Sequence, residues 1–555
     1  MTEAVGGETT PEETGQAAVQ AAAQAAAPSA GPSVGRVLAN ASLILTIAAL
    51  ASRLLGWIRL LVIGSQFGAS RDLDAYFAAF RIPDAIFQLV VAGALSAALI
   101  PVFSSYRARE DEREAWRLAS SVINLVLIAL AVFSLVMAVL APWVVPIIAP
   151  GFDDATTELT VKLTRLMLLS PVFVGMGAVV SGLLNSYGRF GVPAIAPLVY
   201  NLAIIMAAVV LAPTLGVEGL AIGVVAGSVL HLAIQLPQLR KVAGHYDLTI
   251  GLGHPGVRKV AWLMGPRLLG LAAGQVNFVA STILASNLGV GAVTAYNYAF
   301  QLSQIPVGVL GVSVAVALFP TFSRDAALGR IADIRRQLST SLRILIFLAA
   351  PLTATMIVLA RPIAAVFFQY GLFSNAAADR TAGALVFFSI GLSGHIVVHV
   401  LTRAFYAMQD TRIPVLWAII AVAINVPLMT ILSGPMGVEG LALALSISAT
   451  LEVIGLALAL RRRIESIDEQ TILPSALRSG VAAVVAGVVM FAGLTAAQQW
   501  FADLLANGAG RVLVLAILVG AGAATYLLAA VALRSDELGQ VRRYLFHRGS
   551  GKGAA

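Results

Sequence analysis

Long apolar runs alternate with short polar intervals along the whole chain. A bilayer-crossing α-helix needs about 20 mostly apolar residues. Fourteen runs meet that length, centred on 40–63, 77–103, 119–147, 160–184, 193–212, 217–238, 260–286, 293–320, 340–368, 382–408, 413–433, 437–460, 474–498 and 510–533. Pro and Gly punctuate many of them, as membrane helices tolerate. The pattern predicts an all-α polytopic membrane protein with 14 transmembrane helices.

The polar intervals alternate in charge. Arg107, Arg109, Arg113 and Arg117 follow span 2, and Arg240, Lys241, Arg258 and Lys259 follow span 6. Arg324, Arg330, Arg335 and Arg336 follow span 8, and Arg461, Arg462 and Arg463 follow span 12. The C-terminal tail adds Arg542, Arg543, Arg548 and Lys552. The intervening loops hold one basic residue or none, as with Arg71, Lys162, Arg380 and Arg511. The positive-inside rule then places both termini in the cytoplasm. A missed helix would scramble this alternation, so the loops also check the span count.

Composition agrees. The chain is 59% hydrophobic and only 12% charged, with mean hydropathy +0.89. Soluble domains carry about 25% charged residues. The net charge of +8 fits cytoplasmic loops beside anionic lipid and calls for no nucleic-acid partner. The chain has no Cys, which excludes disulfides, thiolate metal sites and Cys nucleophiles. Residues 1–36 are rich in Ala, Gln, Gly, Pro, Thr and Glu. They read as a disordered tail and lack the basic and apolar regions of a signal peptide.

The spans contain a duplication. GVEGLA occurs at Gly216–Ala221 and at Gly437–Ala442, an offset of 437 − 216 = 221. Ala75-Tyr76-x-x-Ala79-Phe80 answers Ala295-Tyr296-x-x-Ala299-Phe300, and Pro101-x-Phe103-Ser104 answers Pro320-x-Phe322-Ser323. Tyr187 and Pro193 answer Tyr406 and Pro414. Six spans separate equivalent positions, so the copies share one orientation, as in transporters built from parallel repeats. The expected organisation is a tail (1–36), an N-terminal lobe of spans 1–6 (37–241) and a C-terminal lobe of spans 7–12 (242–463). Spans 13–14 (464–534) and a basic cytoplasmic tail (535–555) follow. A substrate site is expected between two parallel six-helix lobes.

Charges at membrane depth are costly and by default mark a pathway. Span 1 holds Ser52, Arg53 and Arg59. Arg53 lies too deep to snorkel, whereas snorkelling competes with a cavity role for Arg59. The two are six residues apart, about 240° around a helix, and share a face only if the helix bends, with Gly56 a plausible place. Asp74 and Arg81 lie seven apart on span 2. Asp74 reads either as a surface residue or as the partner that orients Arg53 or Arg59. Gln88 and Gln301 are deep amides, of the kind that also bond neighbouring helices. For Arg267, early in span 7, snorkelling and a cavity role compete equally. His395 and His399, one turn apart on span 10, have metal-ligand spacing, but packed helix contacts are the preferred reading. Deep acids are almost absent, and the deep charges are mainly guanidinium groups. Their planar forks suit phosphate, so an anionic, phosphate-bearing cargo is favoured. No Walker A sequence, nucleophile or metal motif is present, so no enzymatic activity or cofactor is expected.

Several segments resemble the MurJ/MviN family of lipid II flippases, within the multidrug/oligosaccharidyl-lipid/polysaccharide exporter superfamily. They are Ser52-Arg53-Leu-Leu-Gly56-Trp-Ile-Arg59 through Asp74-Ala-Tyr-Phe-Ala-Ala-Phe-Arg81-Ile-Pro83, Gly93-Ala-Leu-Ser-Ala-Ala-Leu-Ile-Pro101 and Leu184-Asn-Ser-Tyr187-Gly-Arg-Phe-Gly-Val-Pro193. Further along come Pro306-Val-Gly-Val-Leu-Gly-Val, Phe368-Gln-Tyr-Gly371 and Arg403-Ala-Phe-Tyr406-Ala-Met-Gln-Asp-Thr-Arg412-Ile-Pro414. The resemblance implies movement of an undecaprenyl-diphosphate-linked peptidoglycan precursor from the inner to the outer leaflet, by alternating access over a central cationic cavity. It implies a bacterial plasma-membrane location and a monomer, with membrane lipids and cell-wall synthesis proteins as neighbours. It assigns functional weight to Ser52, Arg53, Arg59 and Asp74, and places Arg81 where the family often has a basic residue.

The chain departs from the family pattern in several places. An Arg is common near Phe87/Gln88, an acid near Ala92 and after the second Arg of span 1, where this chain has Leu60, and an Arg at Gln301. Arg81 or Arg267 is then the expected compensation. The acids of the sodium site found in some members, in spans 7 and 11, have no counterpart here. The alternatives are an exporter of another diphosphate-linked glycan, a drug/cation antiporter and a non-transporting scaffold of cell-wall assembly.

Overall fold

The computed structural model describes residues 32–88, 96–242, 244 and 246–540. Every regular element among them is helical. The main helices are α1 (Pro32–Phe67), α2 (Arg71–Phe87), α3 (Ser96–Arg107), α4 (Glu112–Ile148), α5 (Asp154–Met167), α6 (Ser170–Ser186), α7 (Gly191–Val210) and α8 (Val217–Ala233). Next come α9 (Pro255–Ser286), α10 (Ala292–Pro306), a π-helical segment (Val307–Val312) and α11 (Ser313–Ala327). Then follow α12 (Ile331–Val358), α13 (Ala360–Phe368), α14 (Asn375–Ile390) and α15 (Leu392–Ala407). The last four are α16 (Arg412–Met436), α17 (Val438–Ile464), α18 (Glu469–Trp500) and α19 (Gly508–Ala532).

Among the described residues, 11 helical stretches are long and apolar enough to cross a membrane, or 12 when the bent pair α14–α15 counts as one span. The two remaining expected spans correspond to α9, several of whose side chains lie outside the described set, and to α2 with α3, which flank residues 89–95 outside it. Fourteen spans are compatible with this architecture.

The chain divides into two compact units, Val5–Val293 and Thr294–Ala555 with the first four residues. In the first, α1 packs on α7, α7 on α8, and α2 on α5. α9 packs on α2, α3 and α4, and contributes Val257 and Val260 to a core built around Phe103, Trp116, Val122 and Leu183. The duplicated sequence assigns α9 to the second copy, while its packing places it with the first. In the second unit α16 pairs with α17, and α15 packs on α11, α12 and α17. α18 and α19 pack on each other and on α12. A buried ion pair fastens that end. Arg343 of α12 meets Glu537 at 2.5 Å, and Ser475 of α18 donates to the same carboxylate at 2.8 Å.

The GVEGLA repeat has a backbone reason. Gly216 (φ 59, ψ −145) and Gly437 (φ 62, ψ −134) make the turns into α8 and α17, in a region essentially restricted to glycine. Three residues on, a Cβ on Gly219 would sit 2.8 Å from the carbonyl carbon of Leu211, and one on Gly440 would sit 2.2 Å from the carbonyl oxygen of Leu432. Each copy needs both glycines to fold its helix back closely on its predecessor.

Candidate functional site

The first unit concentrates its deep polar groups on α1, α2 and α9. α2 starts cleanly because Ser70 caps it, accepting from the Leu73 amide at 3.3 Å. Its deep charges then fall on successive turns. Arg81 donates through Nε to Thr282 Oγ1 of α9 at 2.9 Å. Its guanidinium lies 5.3 Å from the Phe278 ring centroid. This holds the fork flat against an aromatic face, a geometry a guanidinium favours. Asp84, one turn further, is hydrogen-bonded by Gln88 and lies within electrostatic reach of Arg81 and Arg59. Gln88 is 6% exposed, and its side-chain oxygen has no hydrogen-bond partner among the described residues. Beside Arg81 opens a cavity of about 260 Å³, lined by apolar groups such as Ile86, Phe133, Val144 and Val279.

Arg59 joins this cluster. It acts electrostatically on Tyr76 and Asp84 of α2 and on Tyr200 of α7. Ser52 and Arg53 are half-buried on the same helix, and α1 stays helical through Gly56. Asp74 is buried, at 2% exposure. It accepts the backbone N–H of Gly291 at 2.5 Å. Gly291 has φ 81, and a Cβ there would meet the Ala69 carbonyl oxygen at 2.7 Å. Asp74 therefore ties the start of α2 to the turn that follows α9. Gln301 lies half-buried on α10, in the second unit. Arg267 falls on α9, but its side chain lies outside the described residues.

Asp84 is the residue that sequence reasoning passed over. Deep acids were expected to be almost absent, yet Asp84 stands at the centre of the cluster. A signal existed: it is three residues from Arg81 and four from Gln88, both helical-neighbour spacings. Its presence explains how two guanidinium groups share one region without mutual repulsion dominating.

A two-unit helical membrane protein with deep guanidinium groups and no strand among its described residues has the architecture of a multi-span transporter. The solved structures it is similar to agree. One is the lipid II flippase MurJ in an inward closed conformation, with TM-score 0.74 and 24% identity, covering 88% of this chain and 98% of that one. Another is an inward-facing multidrug-resistance transporter of the MATE family, in the MOP superfamily, with TM-score 0.66 and 15% identity, covering 74% and 95%. At these identities the likeness speaks for the fold.

The sequence comparisons narrow the class. The family model for lipid II flippase MurJ matches residues 63–508. The lipid II flippase MurJ of Burkholderia cenocepacia is 36% identical over 431 residues, 75% of this chain and 82% of that protein. The probable lipid II flippase MurJ of Vibrio cholerae is 30% identical over 502 residues, 88% and 95%. This chain belongs to the MurJ lipid II flippase family.

Proposed function

We propose that this protein moves a lipid-linked peptidoglycan precursor, an undecaprenyl diphosphate bearing a glycopeptide headgroup, from the inner to the outer leaflet. The family match across residues 63–508 carries this reading. The arginine cluster supports it chemically. A diphosphate presents several oxygens to planar donor forks, and Arg59 and Arg81 supply such forks at membrane depth. The unpartnered oxygen of Gln88 suits a hydroxyl or amide donor on the headgroup. Ser52, Arg53, Asp74, Arg267 and Gln301 complete the proposed substrate-binding set, with Asp74 acting through the α2–α9 tie.

The proposed working units are the duplicated lobes, 37–241 and 242–463, alternating access to the cargo. Both termini lie in the cytoplasm on this reading, and the chain transports without catalysing a reaction. The membrane potential acts on the cationic protein and the anionic cargo alike. Complementation of a strain depleted of its own flippase tests the proposal. The wild-type chain is expected to restore growth, and an Arg53→Ala variant that accumulates normally is expected not to. Failure of the wild type to rescue, with the protein inserted in the membrane, overturns the reading.

A further inference from the structure

Helix α15 in the second unit has its polarity inverted relative to a lipid-facing helix. Its buried side chains are all apolar: Leu392, Ile396, Val397, Val400, Leu401, Ala404, Phe405 and Ala407. Its accessible side chains include His395, His399, Thr402, Arg403 and Tyr406, all half-exposed, with Val398 the one apolar member of that face. The periphery of the same unit does the opposite, with Leu513, Ile517, Leu528 and Val531 of α19 and Val484, Val488 and Phe491 of α18 exposed. A polar accessible face on a membrane helix looks onto water, because lipid would leave its donors unsatisfied.

The face carries one charge, the Arg403 guanidinium, beside two imidazoles that serve as hydrogen-bond donors. His395, His399 and Arg403 recur every four residues, so they rise along one side of the helix. No carboxylate among the described residues pairs with Arg403. Its guanidinium lies 5.5 Å from the Phe319 ring centroid on α11, a stacking mode that leaves the N–H edges available. Each imidazole offers a ring N–H donor in either tautomer.

Two features of the backbone hold this face in place. Ser446 of α17 donates to the Phe387 carbonyl at 2.6 Å, beside the 45° bend between α14 and α15. A Cβ on Gly391 would lie 2.6 Å from the Ser446 Cα, so glycine is needed for that approach. The π-helical segment Val307–Val312 packs on α15, where a Cβ on Gly311 would come within 3.1 Å of the His399 ring. Single-turn π segments inside membrane helices often mark functional positions.

We propose that His395, His399 and Arg403 form a second anion-binding face, one that contacts the diphosphate of the lipid-linked cargo from the C-terminal copy. This assignment rests on the flippase reading above. It gives the second copy the donors that Gln301 does not supply.

The chain contains no Cys, so a single introduced thiol reports directly. His399→Cys and Thr402→Cys are to be labelled in proteoliposomes with a charged, membrane-impermeant thiol reagent, with Leu401→Cys as the buried comparison. The accessible positions are expected to react at least tenfold faster than position 401. Farnesyl diphosphate is expected to protect them, and farnesol and inorganic diphosphate are not. Adding Arg403→Ala should weaken that protection about tenfold or more, as loss of a charged hydrogen bond implies, and Arg403→Lys should retain part of it. Labelling no faster than at position 401, or labelling that farnesyl diphosphate leaves unprotected, overturns the proposal. Rescue of flippase depletion by the wild-type chain, run alongside, separates the outcomes: rescue without protection removes only this face, and absence of rescue removes the flippase reading with it.

Discussion

Span 4 and span 10 hold the same place in the two copies, and they do opposite things. Tyr187 answers Tyr406 at an offset of 406 − 187 = 219. At that offset His395, His399, Thr402 and Arg403 of α15 correspond in sequence to Met176, Val180, Leu183 and Leu184 of α6. The α6 residues are all buried, with Leu183 and Leu184 at 0% exposure, and the α15 residues are all half-exposed. Both helices follow a side-chain-capped helix, α5 or α14, and both lead to a Tyr and a Pro. The duplication thus kept the backbone plan and let the side chains of one face diverge, closed in one copy and open in the other. Polarity on a membrane helix is tolerated only where the fold supplies water or a partner, so the divergence records a difference in surroundings.

The largest effect should come from exchanging those chemistries. Leu184→Arg would bury an unpaired guanidinium at a fully buried position, and such substitutions cost more than about 4 kcal/mol. The variant is expected not to accumulate in membranes, as immunoblotting would check. The mirror change, Arg403→Leu, should accumulate normally and fail to rescue flippase depletion. Normal accumulation of Leu184→Arg would show that the first copy's face is not closed, and the contrast would dissolve.

A second difference is that α18 and α19 pack on α12, in the second unit. Glu537 is 1% exposed and Arg343 12%. Glu537→Gln removes the buried partner of the guanidinium, leaving it only the exposed Asp536 carboxylate at 3.6 Å, and should cost roughly 3 kcal/mol. Thermal unfolding of the purified protein should show the loss, and Arg343→Met together with Glu537→Leu should recover part of it.

The GVEGLA glycines permit a graded test of equivalence. Gly440→Ala forces a methyl towards a carbonyl oxygen at 2.2 Å and Gly219→Ala towards a carbonyl carbon at 2.8 Å. Both should destabilise by about 1–3 kcal/mol, Gly440→Ala more than Gly219→Ala. The reverse order in thermal melts would mean that the two turns differ in compliance.

The smallest effect is a pH dependence confined to one copy. Asp153 caps α5 and Ser374 caps α14, at an offset of 374 − 153 = 221. Bonds from the Thr156 side chain and backbone amide, with Arg71 nearby, hold the Asp153 carboxyl below its ordinary value. A carboxyl depressed in the folded state adds stability at pH above its unfolded value, and loses it as pH falls through the lower folded value. Hydrogen exchange at the start of α5 should therefore accelerate below about pH 4, while the start of α14 stays unchanged. Equal acceleration at both caps would argue against the assignment.

Much of this was legible along the chain. The apolar runs and charge alternation marked the spans, GVEGLA marked the duplication, and the arginine-bearing segments of spans 1 and 2 marked the family. Arg59 and Arg81 do gather in one region of the first unit. Asp84 was legible from its spacing to Arg81 and Gln88 but was passed over. The Asp74–Gly291 bond joins residues 217 apart, and no local pattern announces it. The i, i+4 spacing of His395 and His399 fixes a shared face without saying what that face meets.

Membrane class, span positions, repeat period and family are properties of runs and spacings, so the sequence alone determined them. Hydrophobicity sums locally, and an inherited pattern survives as identity. What surrounds each helical face is decided by helices hundreds of residues away. Only the tertiary structure therefore told that Leu184 is fully buried while Arg403 at the matching position stays half-exposed.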